Sequence, residues 1–152
     1  MKTTIHAIAG ITAFLLILTF FTSTVAVEMS GSAAAISYVK QWIVYGLFVL
    51  IPAIAITGVF GALLDKKATN KLIGIKKRRM PIITANGLLV LLPAALYLNH
   101  LAQTGDFGTG FYLAQTAEFI AGSVNLLLMG MNIRDGLLIS GRIRKPRPIV
   151  DN

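Results

Sequence analysis

The sequence predicts an all-α, polytopic membrane protein, a bundle of four transmembrane helices, and three observations carry that prediction. The first is bulk chemistry: 55% of the 152 residues are hydrophobic and 13% are charged, with a mean hydropathy of +0.74. A soluble domain carries roughly twice that share of charge. The second is segmentation into four apolar stretches, about 5–27, 38–64, 81–99 and 112–140, each of at least 19 residues. At about 1.5 Å per residue, such a helix covers a hydrocarbon layer of roughly 30 Å. The third is the placing of polar residues in the last stretch. Gln115, Glu118, Gly122, Asn125, Met129, Asn132 and Gly136 follow one another at steps of three and four. On a helix this is one stripe, and Glu or Asn facing acyl chains is expensive, so the stripe is expected to face other protein.

Taken in order, the first span is interrupted only by hydroxyls, Thr12, Thr19, Thr22, Ser23 and Thr24, which a helix satisfies on the preceding turn. Lys2 before an apolar run, with Thr24 and Ala26 after it, also fits a signal peptide, but the run is longer than a signal core and retention is expected. A short connection of small residues, Glu28 to Ser37, leads to the second span. Trp42 and Tyr45 lie near its start, where amphipathic rings favour headgroups, and Pro52 predicts a kink. Residues 65–79 are too basic to cross and are expected to form a loop. The third span starts at Pro81, placed as a first-turn proline, with a second kink at Pro93. Asn86, Val90, Pro93, Tyr97 and His100 step by four and three and predict a second seam. The third and fourth helices are then expected to meet seam to seam. Pro146 and Pro148 make the basic tail, 141–152, non-helical.

Charge sets the expected orientation. Of 14 basic residues, Lys2, seven between Lys66 and Arg79, and four between Arg142 and Arg147 fall on one side. The other two connections carry Glu28 and Asp106, so the positive-inside rule places both termini in the cytoplasm. The layout also suggests a 2+2 repeat. At an offset of 74, Ser30-Gly31 and Tyr38 to Gln41 align on Thr104-Gly105 and Tyr112 to Gln115. Residues 1–152 read as a single transmembrane domain. Lys76, Lys77, Arg78 and Arg79 precede a span directly, where anionic headgroups or an acidic partner would meet them. The net charge of +8 is explained by topology, and nucleic acid is not expected.

Chemistry is thinly supplied. There are no cysteines and two histidines, which disfavours a dedicated metal site. The candidate intramembrane polar set is Gln115, Glu118, Asn125, Asn132, Asn86 and Tyr97. Glu118, about two turns into its span, must be partnered or protonated, with Lys40 and His100 as the cations at its depth. Arg134 and Asp135 point about 100° apart on a helix and need not pair; Asp135 is expected to meet His6 or the basic segment. Haem b is the sharpest cofactor hypothesis, because a membrane four-helix bundle with a His near a helix end is a common haem frame. His6 and His100 would lie on opposite sides, roughly 20–30 Å apart. His6 with Met80, Met129 or Met131, or ligation across a dimer, is then the candidate set.

Through Thr22-Ser23-Thr24, Lys77 to Pro81 with Ala85-Asn86-Gly87, and Asn132 to Gly136, the chain resembles a group of small proteobacterial four-span inner-membrane proteins without assigned activity. A fainter similarity to b-type cytochrome membrane domains rests on His6 and the helix count. The expected role is binding or assembly inside the membrane, as an accessory or scaffold subunit beside other membrane subunits or a second copy. A haem b electron carrier and a proton-coupled carrier using Glu118 are the alternatives.

Overall fold

The structure is a computed structural model and describes residues 2–65 and 71–142. Among these residues the chain is all-helical: α1 (Lys2–Ser30), α2 (Ala33–Asp65), α3 (Lys71–Asn86), a π-helical turn (Gly87–Leu91), α4 (Leu92–Thr104) and α5 (Thr109–Ile139). α3, the π turn and α4 run on without a break and form one rod. Four stretches are long and apolar enough to cross a membrane: Lys2–Ser30, Ala33–Gly61, Arg78–Thr104 and Thr109–Ile139.

The helices outrun the apolar stretches that predict them, because helical hydrogen bonding continues into the polar boundary wherever no residue breaks it. The connection expected from Glu28 to Ser37 contracts to a tight corner. Gly31 takes a positive φ of 65°, and the Ser32 hydroxyl accepts from the Ala35 amide at 3.3 Å, capping α2. The segment expected as a basic loop is helical from Lys71 onward; residues 66–70 lie outside the described ones, as do residues 143–152 of the tail. Lys, Arg and Ile all tolerate helix, so Pro81 sits inside α3 and not at a helix start.

The four rods stand at the corners of a square in the order α1, α2, α3–α4, α5, each against its two neighbours. Among the described residues no close backbone approach crosses either diagonal. α2 packs on α4 far more than on α3, so these two rods part toward the Arg79 end. Ala9 and Ala13 are buried where α1 meets α2, and Gly10 rests on Thr57. Small residues let these two backbones approach closely. One apolar cluster, including Ile17, Ile43, Leu47, Leu50 and Met129, fills the middle. A second, with Ile36, Leu98, Leu101 and Phe111, closes the end near Gly31 and Gly105. Phe48, Leu89 and Leu127 point outward, as side chains do in a bundle whose solvent is lipid.

The two seams fare differently. On α5, Gln115, Gly122, Asn125, Met129 and Asn132 are buried, and Glu118 and Gly136 are partly buried. On the third rod only Asn86 faces inward. Val90, Pro93 and His100 are exposed and Tyr97 is 49% exposed; the buried positions are instead Ala95, Leu98, Leu101 and Ala102. The cause is the π turn. The Leu92 amide bonds back to the Gly87 carbonyl, a five-residue reach that inserts one extra residue and turns everything beyond it by about 100°. Pro93, with no amide hydrogen to give, sits just past the wide turn.

Candidate functional site

The inward stripe of α5 is tied to other helices at three depths. Nearest the Gly31 and Gly105 end, Lys40 is 0% exposed. It follows the period of its apolar neighbours Ile36, Ile43, Leu47 and Leu50 on α2, so the packed face carries it inside. Its four-carbon stem spans the diagonal that the backbones do not, and Nζ donates to Glu118 Oε2 at 2.6 Å. Gln115 Nε2 donates to the same oxygen at 2.9 Å. Glu28, at the end of α1, is near enough to interact electrostatically with Lys40, and its Oε1 is buried with no hydrogen-bond partner. One carboxylate, Glu118, thus holds the ammonium directly, and a second, Glu28, stands in its electrostatic range.

At mid-depth, Asn86 Nδ2 donates to the Ala121 carbonyl at 2.8 Å and to Asn125 Oδ1 at 2.9 Å. Asn125 Nδ2 returns a bond to the Ile83 carbonyl at 3.3 Å. Asn86 thus spends both hydrogens of its amide, and Asn125 both ends of its own, on holding α3 against α5. At the third level Asp135, 1% exposed, accepts from Arg79 at 2.8 Å and from Arg134 at 3.2 Å. Asp135 does reach the basic segment. The expectation that Arg134 need not pair with its neighbour is corrected, since its long side chain folds back along the helix. Asn132 Oδ1, one turn away, is buried without a partner.

Between the upper two levels lies a cavity of about 420 Å³ walled by all four rods. Phe20 and Thr24 line it from α1, Gly58 from α2, and Glu118 and Asn125 from α5. The π turn forms the opposite wall through Gly87, Leu88 and Leu91. In a bilayer, acyl chains or a ligand fill such a volume.

The remaining sequence candidates do not gather there. His6 Nδ1 donates to the Thr57 carbonyl at 3.0 Å, which places that ring proton on Nδ1. His6 Cε1 and Met80 Sδ lie 3.2 and 3.3 Å from the point where a side chain on Gly61 would begin. The two side chains meet over the backbone of α2 at Gly61. Met129 belongs to the central apolar cluster, Met131 is half-buried, and His100 is exposed toward the end opposite His6. Tyr97 is outside the bundle, although its hydroxyl comes within 3.3 Å of where a Gly110 side chain would start. Arg78 is exposed, Arg79 is engaged by Asp135, and the side chains of Lys76 and Lys77 lie outside the described ones. Among the described residues no group of three or more His, Asp or Glu converges as metal ligands do.

Of the two cations expected at the depth of Glu118 the site takes Lys40, and it adds Glu28 to the sequence-derived set. The signal for Lys40 was present, since it falls on the three-and-four spacing of Ile36, Ile43, Leu47 and Leu50. Compared with known proteins, the chain matches no protein family, no curated protein and no solved structure.

Proposed function

We propose that the chain is an accessory or assembly subunit of the bacterial inner membrane, multi-pass with both termini in the cytoplasm, acting through helix packing with no reaction of its own. One observation carries this reading: Glu118, Asn125 and Asp135 on the inward face of α5 are engaged with other rods at three successive depths. Lys40–Glu118, Asn86–Asn125 and Arg79–Asp135 fix helix positions. The orientation is supported by Arg78, Arg79 and Arg142 lying at the end opposite Glu28 and Asp106. A partner would have a firm outer surface to meet, including Tyr38, Trp42 and Tyr45, exposed and stacked edge to face along α2. Aromatic side chains of this kind anchor interfaces. Placing a photo-crosslinking amino acid at Trp42 in cells tests it. A discrete protein adduct supports a subunit role, and adducts with lipid alone overturn it.

A proton-coupled carrier is the second reading. It is favoured by a second carboxylate, Glu28, lying within electrostatic range of the buried Lys40–Glu118 pair. Uptake into vesicles that Glu118→Gln abolishes without loss of folded protein would put it first.

A further inference from the structure

From the cavity we infer a ligand site for a neutral single-chain amphiphile, drawn from the bilayer, whose head donates one hydrogen bond from an alcohol or phenol to Glu118. The polar contact is defined. Lys40 and Gln115 both bond to Oε2 of Glu118, and Oε1 has no partner among the described residues, although Glu118 lines the cavity. An unpaired carboxylate oxygen on the wall of a largely apolar chamber selects a donor. It also rejects an anion, because the Lys40 ammonium is already engaged by Glu118.

Size and access agree with this choice. An engineered space of roughly 150 Å³ holds a six-carbon ring, so 420 Å³ holds on the order of 16 carbon atoms. The wall is widened by the π turn, a device that recurs at binding sites, and Gly87 adds no side chain to it. α2 and α3 barely touch, and the outward-facing Val59 and Leu88 line the chamber between them. The opening is therefore lateral and at hydrocarbon depth. A charged head would have to cross it stripped of water, whereas a hydroxyl crosses at far lower cost.

The test uses the purified full chain and hexadecanol bearing a diazirine near its hydroxyl, with the label mapped by mass spectrometry. Labelling is expected on the stretch of α5 from Glu118 to Asn125, saturable and displaced by unlabelled hexadecanol. Hexadecane of the same design is expected to compete at least tenfold more weakly, because a hydrogen bond to a charged acceptor is worth about that factor. Gly58→Leu points into open space within the cavity, with no atom within 4 Å of its first carbon. It should cut labelling at least tenfold while leaving helix content unchanged.

Labelling that does not saturate, or that Gly58→Leu in a folded chain leaves intact, overturns the site. Equal competition by hexadecane overturns the role of Glu118, and stronger competition by hexadecylamine overturns the neutral head. Were Gly58→Leu to fail to fold, the alcohol and alkane competition in the wild-type protein decides alone. The accessory reading can fail with this site intact, and the reverse.

Discussion

Removing the Lys40 ammonium should damage the bundle more than removing the Glu118 carboxylate. Breaking a buried ion pair from one side costs about 3–5 kcal/mol, because it strands a charge. The stranded groups differ here. Lys40→Met leaves Glu28 and Glu118 facing each other with no cation, in a setting where Lys40 was 0% exposed, so a cost of about 4–5 kcal/mol is expected. Glu118→Gln leaves Lys40 with Glu28 still near it, so about 3 kcal/mol is expected. The double variant strands only Glu28 and should cost no more than Lys40→Met, giving a coupling of at least about 3 kcal/mol. The single tryptophan, Trp42, two residues from Lys40, reports unfolding by sodium dodecyl sulfate in mixed micelles through its fluorescence. Single costs that add within about 0.5 kcal/mol, or Glu118→Gln proving the worse, would show that the pair behaves as a solvated one and refute the reasoning.

Asn125→Leu should cost about 1–2 kcal/mol, the upper range for interhelical hydrogen bonds in membranes. Adding Asn86→Ala should cost little more, as read in the same unfolding assay. The Phe20 ring occupies the place where a Cβ on Gly46 would sit, so Gly46→Ala should cost about 1–3 kcal/mol from overcrowding. Phe20→Leu should restore most of it, and a neutral Gly46→Ala would mean that the α1–α2 packing is looser than described. The chain has no cysteine of its own, so single cysteines can report orientation. Ser32→Cys and Gly105→Cys should react with an impermeant maleimide in intact cells, and Arg78→Cys and Arg142→Cys only after lysis; the reverse pattern would invert the topology.

How much of this was legible in the sequence depends on the kind of signal. The α5 stripe was readable because Gln115, Asn125 and Asn132 contrast with an apolar background and keep one period over six turns. The partner of Glu118 was readable to within two candidates, since depth alone left Lys40 and His100. The third rod misled, because Asn86 to His100 keep a regular spacing in sequence that the π turn breaks in space. Gly87 and Pro93 mark its flanks, yet both also occur in ordinary helices. The cavity left no trace in the sequence at all: it comes from the separation of rods across a diagonal, a quantity set by all four helices together. Arg134 and Asp135 were judged from the angle between their Cα–Cβ bonds, which ignores how far a guanidinium can bend back.

The surplus residue between Gly87 and Leu91 lets one rod address two audiences. Its lower half presents Asn86 to Asn125, and its upper half presents Leu98 and Ala102 to the far cluster, from a repeat that would otherwise aim both at the same neighbour. Deleting a single residue there would let the rod wind as one uniform coil and swing Tyr97 and His100 into the interior. A shortened chain would keep its hydropathy profile and still lose the pairing of its halves, so for this protein a one-residue gap at that point is a larger change than most substitutions.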